Sequence, residues 1–186
     1  ALGHRGISCN LRGDLFRKPC VLYFPDEARI PPAEAGLDGA QEIEIAAADS
    51  TKLVAWYAPS QDEKPTILYF HGNAANAANR APKIETMREN GFGVFYLNNR
   101  GYGGSGGRPT EENNVADAIA AYDHLTGLGV PAGRMVAYGE SLGSGQAASL
   151  FAVQNICHAG DNFVASTDLY GGTWNLFANT MKSMGI

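Results

Sequence analysis

The sequence has few cysteines, little positive charge and no long apolar run. Its three cysteines, Cys9, Cys20 and Cys157, are an odd number without C-x-x-C spacing, which argues against a disulfide framework and against a zinc site. The net charge of −5 excludes the basic surface typical of nucleic-acid binding. No stretch approaches the ~20 apolar residues of a membrane span. We therefore expect an ordinary globular protein that has no membrane span and binds neither a metal ion nor nucleic acid.

Strand-like and helix-like segments alternate along the chain, and its 186 residues suit a single domain covering residues 1–186. Two consecutive segments, at 41–46 and 52–57, predict an antiparallel hairpin. Buried strands are predicted at 66–70, 93–97 and 134–138, and helices at 74–90, 110–126 and 142–153. This order predicts an α/β domain with a mainly parallel sheet that begins with the hairpin, and Arg134 is expected to begin its central strand.

The strongest motif is Gly139-Glu-Ser141-Leu-Gly143, which matches G-x-S-x-G between a predicted strand and a predicted helix. In a nucleophile elbow the chain reverses at the serine, which sits in a strained backbone conformation with its hydroxyl exposed. The flanking glycines are needed because a Cβ would collide where strand and helix cross. We therefore interpret Ser141 as a candidate nucleophile and the backbone N–H of Leu142 as a candidate oxyanion donor.

A second candidate donor lies in His71-Gly-Asn73, directly after the predicted strand at 66–70. Enzymes with a nucleophile elbow take one oxyanion donor from the elbow and another from the loop after an earlier strand. The backbone N–H of Asn73 fits that second role. Taken alone, the same three residues would rather indicate a tight turn with Gly72 at a positive φ and His71 capping the strand, and only the pairing with the elbow favours the donor.

Two glycine patterns keep a nucleotide-binding alternative open. Gly143-x-Gly145-x-x-Ala148 fits the dinucleotide fingerprint in the same strand–helix context as the elbow. The match Gly101-x-Gly103-x-x-Gly106 fails, because the next helix begins only after Pro109 and so cannot aim its N-terminus at a pyrophosphate. No G-x-x-x-x-G-K-[ST] is present.

Three motifs together resemble the α/β-hydrolase superfamily, and within it the α/β-hydrolase domain-containing proteins related to the serine aminopeptidase-like group. They are Tyr69-Phe-His-Gly-Asn-Ala-Ala-Asn76, Asn98-Asn-Arg-Gly-Tyr-Gly-Gly-Ser105 and Tyr138-Gly-Glu-Ser-Leu-Gly-Ser-Gly145. The resemblance covers about residues 20–153. It implies a serine hydrolase without a cofactor that cleaves ester, thioester or amide bonds of a small-molecule or lipid-like acyl substrate. Such proteins are often tethered to membranes by an N-terminal segment that this sequence does not show.

The tail at 154–186 departs from the resemblance, and we predict in it only a short strand at 164–170 and a short helix at 173–184. The acid and then the histidine base should follow the nucleophile along the chain. Only 45 of the 186 residues follow Ser141; His158 is the sole histidine among them, and none follows Asp161 or Asp168. We therefore expect a truncated or altered C-terminus, unidentified acid and base partners, and at best feeble hydrolysis. The alternatives are an unusual triad with His158 and Asp168, or a non-catalytic hydrolase-fold domain that serves binding or structure.

Overall fold

A computed structural model describes residues 23–73 and 76–150. Within this part, the strands are β1 Gln41–Ala46, β2 Lys52–Ala58, β3 Thr66–Phe70, β4 Gly93–Leu97 and β5 Met135–Gly139. The helices are α1 Ala81–Glu89, α2 Glu111–Gly127 and α3 Gly143–Ala148. Short 3-10 helices cover Pro32–Ala35, Ala77–Arg80 and Ala132–Arg134. Helices on this part of the chain are all too short or too polar to cross a membrane.

The sheet has the strand order β1-β2-β4-β3-β5. β2 pairs antiparallel with both β1 and β4, while β3 pairs parallel with β4 and β5. Four of the described strands therefore point one way and β2 runs against them. The predicted hairpin, the three buried strands predicted before residue 140 and the mainly parallel sheet of an α/β fold are confirmed.

The strand predicted to begin at Arg134 begins one residue later, at Met135, and its central position in the sheet stays a prediction, because residues 151–186 are not described. Arg134 ends a 3-10 helix, and β5 lies at one edge of the described sheet, while β4 and β3 occupy its middle. The reason is topological, because a crossover connection can place the next parallel strand on either side of the previous one. The chain steps from β3 to β4 in one direction and from β4 past β3 to β5 in the other.

The reversal of direction also places helices on both faces of the sheet, because parallel crossovers are right-handed. On one face, the helix α2 buries Ala118, Ala121 and Leu125 among strand side chains that include Leu68 and Phe95. On the other face, α1 and the preceding 3-10 helix pack over Trp56, Tyr69, Val94 and Tyr96. Covering of both faces explains why all five residues of β4 are buried.

The helix ends follow local signals in the sequence. Thr110 caps α2, with its hydroxyl accepting a hydrogen bond from the Asn113 N–H at 3.1 Å. The predicted helix at 74–90 begins later than expected within the described residues. Asn76 caps a 3-10 turn in a capping box, and the α-helical winding starts only at Ala81, with Pro82 in its first turn.

The elbow helix is also shorter within the described residues than the predicted 142–153. α3 covers Gly143–Ala148, and residues 149 and 150 continue it in a wider π-type turn. The remainder of that helix, the strand predicted at 164–170 and the helix predicted at 173–184 lie outside the described residues.

A buried ion pair fixes the loop that follows β4. The Arg100 guanidinium donates to both carboxylate oxygens of Asp117 on α2, at 2.9 Å each. It also donates to Asp49 in the β1–β2 turn, at 2.6 and 3.1 Å. Arg100 and Asp117 are both buried. One side chain thereby joins the loop, α2 and the hairpin.

We expect Arg100→Met to lower the free energy of unfolding by about 3–5 kcal/mol, because it leaves the Asp117 carboxylate buried without its partner. Arg100→Met/Asp117→Met should lose less than the single variant, since no buried charge remains. Urea denaturation measures both. Arg108→Met is the control, because Arg108 is exposed on the same loop. A single variant as stable as this control would contradict the structural role of the ion pair.

Candidate active site

The candidate site lies at the sheet edge where β3, β4 and β5 end. These three strands are parallel, so their carboxyl ends meet at one edge. In open α/β sheets this edge is where ligands bind. The segments that follow the strands are His71–Asn73, the glycine-rich loop 98–107 and the elbow at 139–143.

Ser141 occupies the tip of the turn between β5 and α3. Its φ is 49°, in the left-handed region that non-glycine residues rarely adopt, and its side chain is exposed. The turn leaves no room for larger flanking residues: a β-carbon at position 139 would lie 2.4 Å from the Gly143 carbonyl oxygen. A β-carbon at position 143 would lie 2.2 Å from the Phe70 carbonyl oxygen. The predicted need for both glycines agrees with this geometry.

The loop after β3 lies against Ser141. A β-carbon built on Gly72 would be 3.4 Å from the Cβ of Ser141 and 3.4 Å from the Glu140 carbonyl oxygen. The Glu140 N–H donates to the Phe70 carbonyl at 2.9 Å, which holds the elbow against the end of β3. Asn73 follows Gly72, and Leu142 follows Ser141 at the start of α3. The fold therefore brings together the three residues that the sequence singled out.

His71 is a buried structural partner of the site, a role that the sequence analysis gave only as capping the strand. Its ring lies parallel to the Tyr96 ring, with centroids 5.6 Å apart. The Asn99 N–H donates to Nε2 at 3.0 Å, so the ring proton stands on Nδ1, which donates to the Gly72 carbonyl at 2.6 Å. Burial lowers the pKa of His71 to about 4. The ring is therefore neutral at pH 7.

Glu140 connects the elbow to α1 and the 3-10 helix before it, on one face of the sheet. Its carboxylate accepts a hydrogen bond from the Arg80 Nε at 3.2 Å and contacts the Lys83 ammonium on α1. Burial acts to raise the pKa of Glu140, but the hydrogen bonds from Lys83 and Arg80 outweigh burial and lower it. The position between Gly139 and Ser141 is thus an ion-paired anchor, which the motif alone did not reveal.

A third segment, the strap formed by residues 24–26, crosses the two loops. The Phe24 N–H donates to the Asn73 carbonyl at 3.1 Å, and the Asp26 carbonyl accepts from the Gly103 N–H at 2.9 Å. The Asp26 carboxylate also accepts from the Asn76 side-chain amide at 2.7 Å. The Phe24 side chain is largely exposed.

Neither histidine of the described residues is placed to act as a base for Ser141. Both ring nitrogens of His71 are hydrogen-bonded to backbone groups. His124 lies in the last turn of α2, and the chain then returns to start β5 at the end opposite Ser141. His158, Asp161 and Asp168 lie outside the described residues.

The structure also bears on a metal site and on a dinucleotide site. Residues 23–73 and 76–150 contain no group of three or more His, Cys, Asp or Glu side chains that could hold a metal ion. The helix after Gly101-x-Gly103-x-x-Gly106 begins only at Glu111, as the sequence predicted. At Gly145, a β-carbon would meet nothing within 4 Å, so no close approach requires glycine there.

The strand order, the two helical layers and the sharp turn after β5 together define an α/β-hydrolase fold. Solved structures share it. The Pyrococcus furiosus esterase Pf2001 aligns with a TM-score of 0.59 at 23% identity, covering 73% of this chain and 52% of that one. An α/β hydrolase from Vibrio vulnificus aligns with a TM-score of 0.56 at 25% identity, covering 64% of this chain and 42% of that one.

Residues 61–169 match the family described as serine aminopeptidase, S33, and the chain belongs to this family within the α/β-hydrolase superfamily. The uncharacterized protein Rv2307c of Mycobacterium tuberculosis is 36% identical over 133 residues, covering 70% of this chain and 47% of that protein. The α/β hydrolase domain-containing protein WAV2 of Arabidopsis thaliana is 38% identical over 114 residues, covering 59% and 37%. The chain thus spans less than half the length of these relatives.

The buried neutral His71 predicts a loss of stability in mild acid. Its pKa is about 4 in the folded protein against 6.5 for an exposed histidine, so the unfolded chain binds the proton more tightly. The contribution of neutral His71 to the free energy of unfolding is therefore present above pH 6.5 and is lost as the pH falls towards 4. Between pH 7 and pH 5 the loss should be on the order of 2 kcal/mol.

Urea denaturation of the wild type and His71→Asn across this pH range tests the assignment. The variant should be less stable but nearly independent of pH above 5. Leu125→Ala is the control, because it destabilises the core on α2 and leaves His71 in place. An unchanged pH dependence in His71→Asn would show that another group is responsible.

Proposed function

We propose that this protein is a serine hydrolase that cleaves carboxylic ester, thioester or amide bonds through an acyl-enzyme on Ser141. In this reaction Ser141 Oγ attacks the substrate carbonyl carbon and forms a tetrahedral intermediate. Collapse of the intermediate expels the alcohol, thiol or amine, and water then releases the acid from the serine. The proposed substrates are small or lipid-like acyl compounds.

The observation that carries this proposal is the left-handed backbone of Ser141 at an exposed turn. A non-glycine residue at φ 49° stores strain, and such strain persists where the surrounding structure imposes it. Here the imposing contacts are those of Gly139 and Gly143, whose backbones lie too close to neighbouring atoms for any side chain. The strain has no evident role in the core, and it exposes a nucleophilic hydroxyl.

The proposed oxyanion donors are the backbone N–H groups of Asn73 and Leu142. The two belong to segments that touch each other, since Gly72 lies against the Cβ of Ser141. Two amides that converge on the oxygen of a tetrahedral intermediate would stabilise the negative charge that develops there. Their position beside Ser141 supports an acyl-transfer site rather than a site for a dinucleotide.

The proposed reaction also needs a base that accepts the proton of Ser141. The described histidines do not serve, because His71 is fully hydrogen-bonded and the ring of His124, in the last turn of α2, packs against Phe95 in the middle of β4. In this class of enzyme the acid and base follow the nucleophile along the chain. The acid and base stay unidentified, and His158 is the base only in the alternative in which it forms an unusual triad with Asp168.

A fluorophosphonate probe tests the nucleophile. We expect covalent labelling of the wild type at Ser141 and none in Ser141→Ala. Ser144→Ala is the matched control, because Ser144 is also exposed and lies one helical turn further on. Labelling that persists in Ser141→Ala and disappears in Ser144→Ala would reassign the nucleophile. A wild type without labelling would favour a non-catalytic domain.

Two substitutions of Asn73 test the proposed oxyanion donor. Asn73→Ala keeps the backbone N–H, so hydrolysis of a short-chain p-nitrophenyl ester should change little. Asn73→Pro removes that N–H, and the loss of one such donor lowers kcat by about 10²–10³-fold. Circular dichroism checks that both variants are folded. Equal rates in the two variants would mean that the Asn73 amide does not bind the oxyanion.

A further inference from the structure

The two peptide units that flank Asn73 are both held by hydrogen bonds to their carbonyl groups. The Gly72 carbonyl accepts from the Nδ1 of His71 at 2.6 Å. The Asn73 carbonyl accepts from the Tyr102 hydroxyl at 2.6 Å and from the Phe24 N–H at 3.1 Å. Both carbonyl groups are therefore fixed by contacts to side chains or backbone of other segments or of the preceding residue.

The geometry of the peptide bond turns these contacts into an orientation of Asn73. In a planar trans peptide the C=O and the following N–H point in opposite directions. Fixing the Gly72 carbonyl therefore also fixes the direction of the Asn73 N–H. Fixing the Asn73 carbonyl anchors the next peptide plane, so that both backbone dihedrals of Asn73 lie between two held planes.

The donors are themselves immobilised. The rings of His71 and Tyr102 are buried and meet edge to face, with centroids 4.8 Å apart. His71 is also stacked on Tyr96, and its Nε2 is occupied by the Asn99 N–H. Tyr102 is fixed by its own N–H, which donates to the Asn99 carbonyl at 3.0 Å. The glycine-rich loop after β4 thereby supports the loop after β3.

We propose that Tyr102 and His71 are positioning residues that hold the Asn73 amide in the direction an oxyanion requires, Tyr102 through the Asn73 carbonyl and His71 through the Gly72 carbonyl. Neither side chain touches the substrate. The inference rests on the proposed function, because it gives these contacts a role only if Asn73 binds an oxyanion. It assigns the glycine-rich loop a part in the reaction that the position of its glycines did not suggest.

Tyr102→Phe isolates the effect, since it removes the hydroxyl and keeps the ring against His71. We expect kcat for a p-nitrophenyl ester to fall by about 10-fold, less than the 10²–10³-fold of losing a donor outright, with KM changed by less than twofold. The inhibition constant of a boronic acid should rise by a similar factor. Its tetrahedral adduct on Ser141 places a negative oxygen where the oxyanion forms, so it reports the donor directly.

Tyr96→Phe is the matched control. Tyr96 is equally buried and lies on the other side of the His71 ring, and its hydroxyl has no hydrogen-bond partner within the described part of the chain. This variant should leave kcat, KM and boronate affinity unchanged. As a second probe of the other carbonyl, His71→Asn should retain more kcat than His71→Leu, because only asparagine can supply an N–H near the position of Nδ1.

The outcomes separate the two proposals. If the wild type shows no turnover or boronate binding that depends on Ser141, the proposed function fails and the positioning role fails with it. If the wild type is active and Tyr102→Phe behaves like Tyr96→Phe, only the positioning role is overturned. Equal losses in kcat and substrate affinity, together with a lower melting temperature, would make Tyr102 a structural residue and would also overturn it.

Discussion

The beginning of α3 passes so close to the end of β3 that position 143 has no space for a side chain. A β-carbon there would lie 2.2 Å from the Phe70 carbonyl oxygen and 2.7 Å from that of His71. This close crossing forces the chain to reverse within one residue, and Ser141 takes the left-handed conformation that results. It also sets Gly72 against Ser141. The arrangement of the candidate site follows from this one contact between helix and sheet.

Buried hydrogen bonds hold the segments around the crossing. Segments at the carboxyl edge of the sheet are buried although they are not helices or strands, so their polar groups need partners within the protein. The Gln146 side chain on α3 donates to Asn99 and to the Asn114 carbonyl, at 3.1 and 3.0 Å. Ser105 bridges Val54 on β2 and the Asn98 carbonyl. These hydrogen bonds restrain the segments, and the proposed stabilisation of a developing charge requires donors that are fixed in this way.

Membership in the serine aminopeptidase, S33 family and the observed turn after β5 point to the same part of the fold. The proposed nucleophile and both proposed oxyanion donors come from the segments after β3 and β5. A base, by the chain order typical of these enzymes, comes from a later segment. The segments after β3 and β5 can therefore form the proposed nucleophile and oxyanion donors independently of where the proton is accepted.

Much of this protein could be predicted from its sequence. Period-two alternation and apolar runs identified all five described strands, because side chains of a strand alternate between two faces. Thr110 marked the start of α2 through a hydrogen bond that spans only three residues. The G-x-S-x-G pattern identified Ser141, since a turn this tight leaves glycine as the only choice at its flanks.

The tertiary structure decided what depends on contacts distant in sequence. Chain order does not say on which side of β3 the strand β5 pairs, so its place beside β3 could not be predicted. The tautomer of His71 is set by Asn99, 28 residues away, and the Asn73 carbonyl is held by Tyr102, 29 residues away. Arg100 binds Asp49, which precedes it by 51 residues, and Asp117, which follows it by 17 residues. Such pairs have no periodicity or local spacing that marks them, because only the packing of the folded sheet and helices brings their atoms within hydrogen-bond distance.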